Sequence, residues 1–124
     1  MKKKTMILFA CLVICFGCLN WVVAQQPQKP LTVEELIKEG DAAYQRKEYA
    51  KSAKLFQEAV AKGARDTDAI YNAACVTALA GDKETAFQLL NKVIAAGFRN
   101  TDHLKRDSDL KSLHDDPRWT KVVA

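Results

Sequence analysis

Apolar and small side chains recur with helical spacing from residue 31 onward, and no stretch alternates with a period of two for long enough to predict a strand. The first helix is predicted to start at TVEE, which is a capping box. There the Thr32 hydroxyl oxygen can accept a backbone N–H while Glu35 reaches back to the threonine. This helix is expected to run to about Arg46.

Glycines divide the following residues into three more predicted helices. These are expected at 49–62 before Gly63, from 66 or 67 to a break at Gly81–Asp82, and from there to Ala96 before Gly97. The four helices would form two hairpins.

The two hairpins match each other at an offset of 34 residues. Small side chains that match in this way would let antiparallel helices approach closely, and larger apolar residues would fill the space beside the contact. The matched pairs are Gly40 with Ala74, Ser52 with Ala86, Phe56 with Leu90, Ala59 with Val93, and Val60 with Ile94.

The tail after Gly97 is interpreted as a degenerate third unit. Helical arrays usually need about three units to bury their apolar faces. Two or three short helices, one starting at Asp116–Pro117, would therefore cap the stack. A partner chain that covers the same end in a dimer is the alternative. The apolar residues of the tail are Leu104, Leu110, Leu113, Trp119, Val122 and Val123.

The repeated unit resembles the tetratricopeptide repeat (TPR). The matching residues are Gly40, Tyr49, Ser52, Phe56 and Ala59 in the first unit, and Ala74, Gly81, Ala86, Leu90 and Val93 in the second. Lys47 departs from the pattern, since a glycine is common there, and neither unit has the usual tryptophan near its start. The resemblance implies an all-α fold of TPR-like helix-turn-helix hairpins stacked as a short right-handed α-solenoid. Its parts are repeat 1 at 32–63, repeat 2 at 66–97 and a C-terminal cap at 98–124.

TPR arrays bind peptides or partner proteins in a concave groove lined by the first helix of each pair. The resemblance therefore implies a groove formed by Ile37, Asp41, Tyr44, Gln45, Tyr71, Asn72, Cys75 and Leu79, to which the tail adds Asp102, Lys105, Arg106 and Asp109. Acids at positions 41 and 102 would repel a carboxylate, so the groove is not a carboxylate clamp. The apolar strip around Cys75 is either covered by the third unit or accepts a peptide with a small apolar anchor.

The first 24 residues have the layout of a secretory signal peptide, with lysines at 2–4, an uncharged and mostly apolar run to Ala24, and a polar linker at 25–31. An uncleaved membrane anchor and a lipoprotein signal are the alternatives. Cleavage after Ala24 would give an exported domain, periplasmic or secreted, with no membrane attachment.

Cleavage would also change the composition of the chain. The formal net charge would fall from +4 to +1 with the loss of three lysines, and Cys75 alone of the four cysteines would remain. The exported domain would then have no internal disulfide framework, and a nucleic-acid role loses its main support.

Candidate chemistry is sparse. A nucleophilic role for Cys75 would need a base beside it, whereas His103 and His114 both lie in the tail. The run DSDLKSLHDDPR opens like a calcium loop but has Lys111 at a ligand position and ends on Arg118. The sequence therefore predicts no catalytic residue, no metal site and no cofactor.

We expect from the sequence a non-catalytic scaffold or adaptor that binds a partner protein or peptide in the groove, and no nucleic acid. The alternative is a structural or accessory subunit that forms a homodimer through exposed helical ends and has no peptide ligand. Cys75 could be buried, could line the groove, or could form an intermolecular disulfide after export.

Overall fold

The computed structural model describes residues 29–124, and within that range all regular secondary structure is helical. The elements are α1 (Val33–Gln45), α2 (Tyr49–Ala61), α3 (Thr67–Leu79), α4 (Lys83–Ala95), α5 (Thr101–Arg106), a 3₁₀ helix (Ser108–Leu113) and α6 (Trp119–Val122). The predicted all-α fold of stacked helical hairpins is confirmed. The predicted signal peptide at 1–24 and most of the linker at 25–31 lie outside the described residues.

Side-chain caps start several of these helices. At α1 the Thr32 hydroxyl accepts a hydrogen bond from the Glu35 amide at 3.2 Å, and the Glu35 carboxylate accepts one from the Thr32 amide at 2.8 Å. The predicted capping box is therefore present, and it satisfies amides that a helix start leaves without partners. Asp82 and Asn100 cap α4 and α5 through their side chains. None of the helices in residues 29–124 is long and apolar enough to cross a bilayer.

The two hairpins turn at equivalent positions. Lys47, with a φ of 60°, joins α1 to α2, and Gly81, with a φ of 89°, joins α3 to α4 at the 34-residue offset. Gly63 and Gly97 adopt φ values of 101° and 110° just after α2 and α4. Glycine adopts this conformation without cost, whereas a side chain crowds the backbone there. The first hairpin therefore carries local strain at Lys47 that the second hairpin avoids.

Close approach of α1 and α2 depends on small residues, as the repeat pattern predicted. The Ser52 hydroxyl donates a hydrogen bond to the Gly40 carbonyl oxygen at 2.8 Å, and both residues are buried. A Cβ atom on Gly40 would lie 2.8 Å from the Phe56 ring. In the second hairpin, Ala74 and Ala86 occupy the equivalent positions, and both are fully buried.

The core centres on α3, which packs against α2, α4 and the 3₁₀ helix. Every residue of α3 from Ala73 to Ala78 is buried, so this helix has no solvent-facing stripe there. Its alanines allow neighbours on several sides to come close. Thr77, which is fully buried, accepts a hydrogen bond from the Gln57 amide of α2 at 2.9 Å, so its hydroxyl is satisfied.

The tail folds onto the second hairpin as three short helical segments. Leu104, Leu110 and Leu113 are fully buried in the same cluster as the α3 and α4 side chains. Arg118 attaches the start of α6 to α4, because its guanidinium lies 2.6 Å from a Glu84 carboxylate oxygen and 4.2 Å from the centre of the Phe87 ring. The apolar side chains of the tail thus point inward, and most of its charged side chains are exposed.

Candidate functional site

A cavity of about 210 Å³ lies between α1, α3 and the tail, and we call it the central cavity. Its wall combines side chains from the first helix of each hairpin with two aspartates from the tail, above a floor of Phe56 and Val76. The wall residues are Asp41, Tyr44 and Gln45 of α1, Tyr71, Asn72 and Cys75 of α3, and Asp107 and Asp109 at the start of the 3₁₀ helix.

Seven of the twelve residues in the predicted groove therefore line one cavity: Asp41, Tyr44, Gln45, Tyr71, Asn72, Cys75 and Asp109. The other five, Ile37, Leu79, Asp102, Lys105 and Arg106, lie outside it. Ile37 is half-buried and packs against both the main core and a smaller apolar cluster around Leu36, and Leu79 is the last residue of α3. Arg106 ends α5, where its Nε donates to the Asp102 carbonyl oxygen at 3.1 Å.

Two tyrosine–aspartate hydrogen bonds fasten the tail to the first helices. The Tyr44 hydroxyl donates to Asp109 Oδ2 at 2.9 Å, and the Tyr71 hydroxyl donates to Asp107 Oδ2 at 2.5 Å. The Tyr71 ring also stacks on Phe98, with ring centres 5.1 Å apart and planes 7° apart. The cavity therefore exists only while the tail is docked, because the tail supplies one of its walls.

Both tyrosines remain protonated donors over a wide pH range. The hydrogen bond to Asp109, with help from burial, raises the pKa of Tyr44 to about 12. Burial, followed by the hydrogen bond to Asp107, raises the pKa of Tyr71 well above its usual value. A phenolate facing either carboxylate would be repelled, so the two hydrogen bonds require neutral tyrosines.

Cys75 is buried beside the same carboxylate. Its Sγ lies 3.7 Å from Asp107 Oδ2, and the residue is 5% exposed. Burial, together with the negative charge of Asp107, raises the pKa of the Cys75 thiol far above its usual range. A nucleophilic cysteine needs the opposite surroundings, because its thiolate must be stabilised.

His103 does not supply a base for this thiol. Its Nε2 lies 3.9 Å from Asp107 Oδ2, the oxygen that also faces Tyr71 and Cys75. The imidazole thus contacts the carboxylate rather than the sulfur. Within residues 29–124 no three histidine, cysteine, aspartate or glutamate side chains are grouped so as to hold a metal ion.

All the charged side chains that line the central cavity are acidic. Asp41, Asp107 and Asp109 line it, while no lysine or arginine does. Like charges that share a concave, partly desolvated site raise the local negative potential. The geometry can therefore accept a cation that also has hydrogen-bond donors for carboxylate oxygens.

Asp107 was missed as a site residue by the sequence interpretation. The repeat register was extended through the tail, which brought in Asp102, Lys105, Arg106 and Asp109 and passed over Asp107. The structure ends α5 at Arg106, and a 3₁₀ helix follows. Because of this change of helix type, the spacing of α5 does not continue past Arg106, and Asp107 reaches the cavity together with the predicted Asp109. The DSD sequence was a usable signal, since aspartates often cap a helix start and place carboxylates together.

Comparison with known proteins corrects the family assignment. The sequence profile of the family described as "A/B hydrolase-like, N-terminal domain" matches residues 32–124. No curated protein and no solved structure matches the chain. The TPR identification is therefore wrong. It relied on the small residues where two helices of a hairpin meet, and such residues indicate close helix packing without distinguishing one helical family from another. The chain belongs to the A/B hydrolase-like N-terminal domain family.

Proposed function

We propose that the chain is a non-catalytic interaction domain whose central cavity receives a basic side chain from a segment of a partner protein. The observation that carries this proposal is the lining of the cavity, where Asp41, Asp107 and Asp109 meet without a lysine or arginine. A lysine or arginine side chain could enter 210 Å³ and would offset the repulsion among the carboxylates.

The depth of the cavity supports a role in binding. Asp41, Gln45 and Asn72 are exposed at its rim, whereas Asp107 is largely covered, with a side chain that is 17% exposed. A flexible cationic side chain could therefore pass exposed polar groups before it reaches a carboxylate that is partly shielded from water. Charged hydrogen bonds are strongest where solvent is reduced.

The absence of an activated nucleophile in the central cavity supports a non-catalytic role. Cys75, which is the free cysteine of residues 29–124, is kept as a thiol by burial and by Asp107. Tyr44 and Tyr71 are engaged as donors to the tail. Their side chains hold the cavity in shape rather than present reactive oxygens.

The family description suggests the kind of partner. Domains of this family are described as the N-terminal domain of A/B hydrolase-like proteins. We therefore propose that the basic segment belongs to a hydrolase-like protein, which would supply any catalysis. In this arrangement the helical domain positions or recruits the hydrolase.

Self-association through the helical ends is the weaker candidate. The first end is polar, since Glu34, Lys38 and Glu39 are exposed on α1. At the other end the tail leucines are buried. Neither the exposed charges of α1 nor the buried tail leucines provide the broad apolar face that a stable homodimer uses.

Labelled nonapeptides that differ only at the central residue would test the cavity. Fluorescence polarisation with the full chain should give tighter binding for central lysine than for norleucine, and the weakest binding for glutamate. Asp41→Asn should weaken the lysine peptide about threefold, as expected for a partly exposed ion pair. Glu39→Gln is the matched control, because Glu39 is exposed on α1 and lies outside the cavity. Equal binding of the three peptides, or equal effects of the two substitutions, would count against the proposal.

A photo-crosslinking residue at Gln45, on the exposed rim, would test the partner in cells. The expected product joins the chain to a hydrolase-fold protein through a segment that contains lysine or arginine. Crosslinks only between copies of this chain would instead favour the homodimer.

A further inference from the structure

A second recess, of about 550 Å³, lies at the C-terminal end of α4 and shares no residue with the central cavity. We call it the α4 recess. Its principal lining residues are Ile94, Phe98, Arg99, Leu104, Lys121 and Val122, which come from α4, the turn after it, α5 and α6.

The floor of the α4 recess is apolar and only partly covered. Leu104 and Val122 are buried beneath it, at 0% and 5% exposure. Ile94 and Phe98 are half-buried, although both pack against the main core. Partly exposed apolar side chains that border one another mark surfaces suited to a further contact.

The rim of the recess is cationic. Arg99 is fixed there, because its Nη1 donates to the carbonyl oxygens of Ile94 and Phe98 at 2.7 Å and 2.9 Å. Lys121 is exposed, and among residues 29–124 it has no ion-pair partner. No aspartate or glutamate side chain lines the recess, so its charged side chains are both cationic, whereas those of the central cavity are acidic.

The short length of α6 explains why the recess is open. The helices α1 to α4 each have 13 residues, whereas α6 has four. At about 1.5 Å per residue, α4 is about 20 Å long and α6 is about 6 Å long. Arg118 lies over Phe87 and Val122 reaches the recess, so α6 covers the last turn of α4 only in part, with Ile94 half-buried and Ala95 exposed. The remaining space is flanked by apolar side chains.

We propose that the α4 recess docks an amphipathic helix of a partner protein, with acidic residues at the edge of its apolar face. Leucine-like side chains would lie on Ile94 and Phe98, above the buried Leu104, and carboxylates would face Arg99 and Lys121. This is the helix-in-groove mode of recognition, in which apolar anchors at positions i, i+3, i+4 and i+7 enter a groove. Because the two surfaces share no residue, this proposal does not depend on the function of the central cavity.

Two synthetic helical peptides with identical leucine spacing provide the probe. One carries glutamate on both sides of the leucine stripe, and the other carries lysine at the same positions. Binding to the full chain by fluorescence polarisation should favour the glutamate peptide about tenfold. Lys121→Glu should weaken the glutamate peptide about fivefold and strengthen the lysine peptide. Ile94→Ser should weaken both peptides while circular dichroism shows an unchanged helical content.

Lys92→Glu is the matched control, since Lys92 is exposed on α4 but lies outside the recess. It should change binding by less than about twofold. Similar affinity for both peptides, or similar effects of the two charge reversals, would overturn the proposal. So would binding of decanoate with no binding of either peptide, which would indicate a small amphiphile. Self-association that is lost in Lys121→Glu would overturn it as well, because the occupant would then be a second copy of the chain.

Discussion

The substitution Gly40→Ala adds one methyl group where α1 and α2 are in contact, and it tests whether the close approach of these helices requires a glycine. The new Cβ would lie 2.8 Å from both Cδ2 and Cε2 of Phe56, which is closer than packed carbon atoms approach. Phe56 is 1% exposed, so its ring cannot turn away into solvent. Alanine is also the better helix former, by about 1 kcal/mol in a helix interior.

The net effect on stability follows from these opposing contributions. Overpacking a core position typically costs about 1–3 kcal/mol, so Gly40→Ala should lower the free energy of unfolding by up to about 2 kcal/mol. The second hairpin shows how the methyl group can be accepted. Ala74 and Leu90 occupy the positions equivalent to Gly40 and Phe56, and both are fully buried. With Phe56→Leu already present, Gly40→Ala should therefore be neutral or stabilising.

A double-mutant cycle measures the contact directly. Urea unfolding of the wild type, Gly40→Ala, Phe56→Leu and the double variant, followed by circular dichroism, should give a coupling energy of about 1–3 kcal/mol. Ala42→Gly at an exposed position of α1 calibrates the propensity difference between glycine and alanine in this helix. If the two substitutions add within about 0.5 kcal/mol, the small residue at Gly40 does not set the approach of the helices.

Three further predictions concern the backbone and two charged contacts. Lys47→Gly should raise the free energy of unfolding in urea by about 1 kcal/mol, because Lys47 holds a φ of 60°, and Gly81→Lys should lower it; effects of the opposite sign would refute the strain. Arg118 lowers the pKa of Asp116 from 3.8 to about 2, so the stability from this pair is present above about pH 4 and is lost as the pH falls towards 2. The difference in Tm between the wild type and Asp116→Asn should therefore shrink over that interval, and a constant difference would contradict the pairing. The pKa of Tyr44 is raised from 10.0 to about 12, so its stabilising contribution should be lost between those pH values. Because the pKa of Tyr71 is raised as well, absorbance at 295 nm should show one late-ionising phenol fewer in Tyr44→Phe than in the wild type.

The helical hairpins could be predicted from sequence because their signals are local. The capping box at Thr32 and the glycines after α2 and α4 act through neighbouring residues, and the small positions at Gly40 and Ser52 repeat at a fixed offset. The same repeat offset places the first helices of the two hairpins, α1 and α3, side by side along one face. The residues predicted on that face accordingly gather around the central cavity.

The features that the sequence did not predict depend on packing between residues that are far apart in the chain. α5 ends at Arg106 and a 3₁₀ helix that buries Leu110 and Leu113 follows, which places Asp107 at the cavity in addition to the predicted Asp109. Ile37 and Leu79 lie one helical turn beyond Asp41 and Cys75 on the same helix faces, so they fall past the ends of the cavity, whose length the sequence does not give. The family could not be identified from the small residues at the helix contacts, since any two helices in close antiparallel contact favour small residues where they cross.

The position of a bound lysine side chain tests the central claim most directly. In an NMR titration of the full chain with the central-lysine nonapeptide, amide shifts should concentrate at Asp41, Gln45 and Asn72, at the rim of the central cavity. The glutamate peptide should leave these signals unchanged. Shifts spread over the exposed faces of α2 and α4, or identical shifts with both peptides, would contradict a cation-binding cavity and with it the proposed role of the domain.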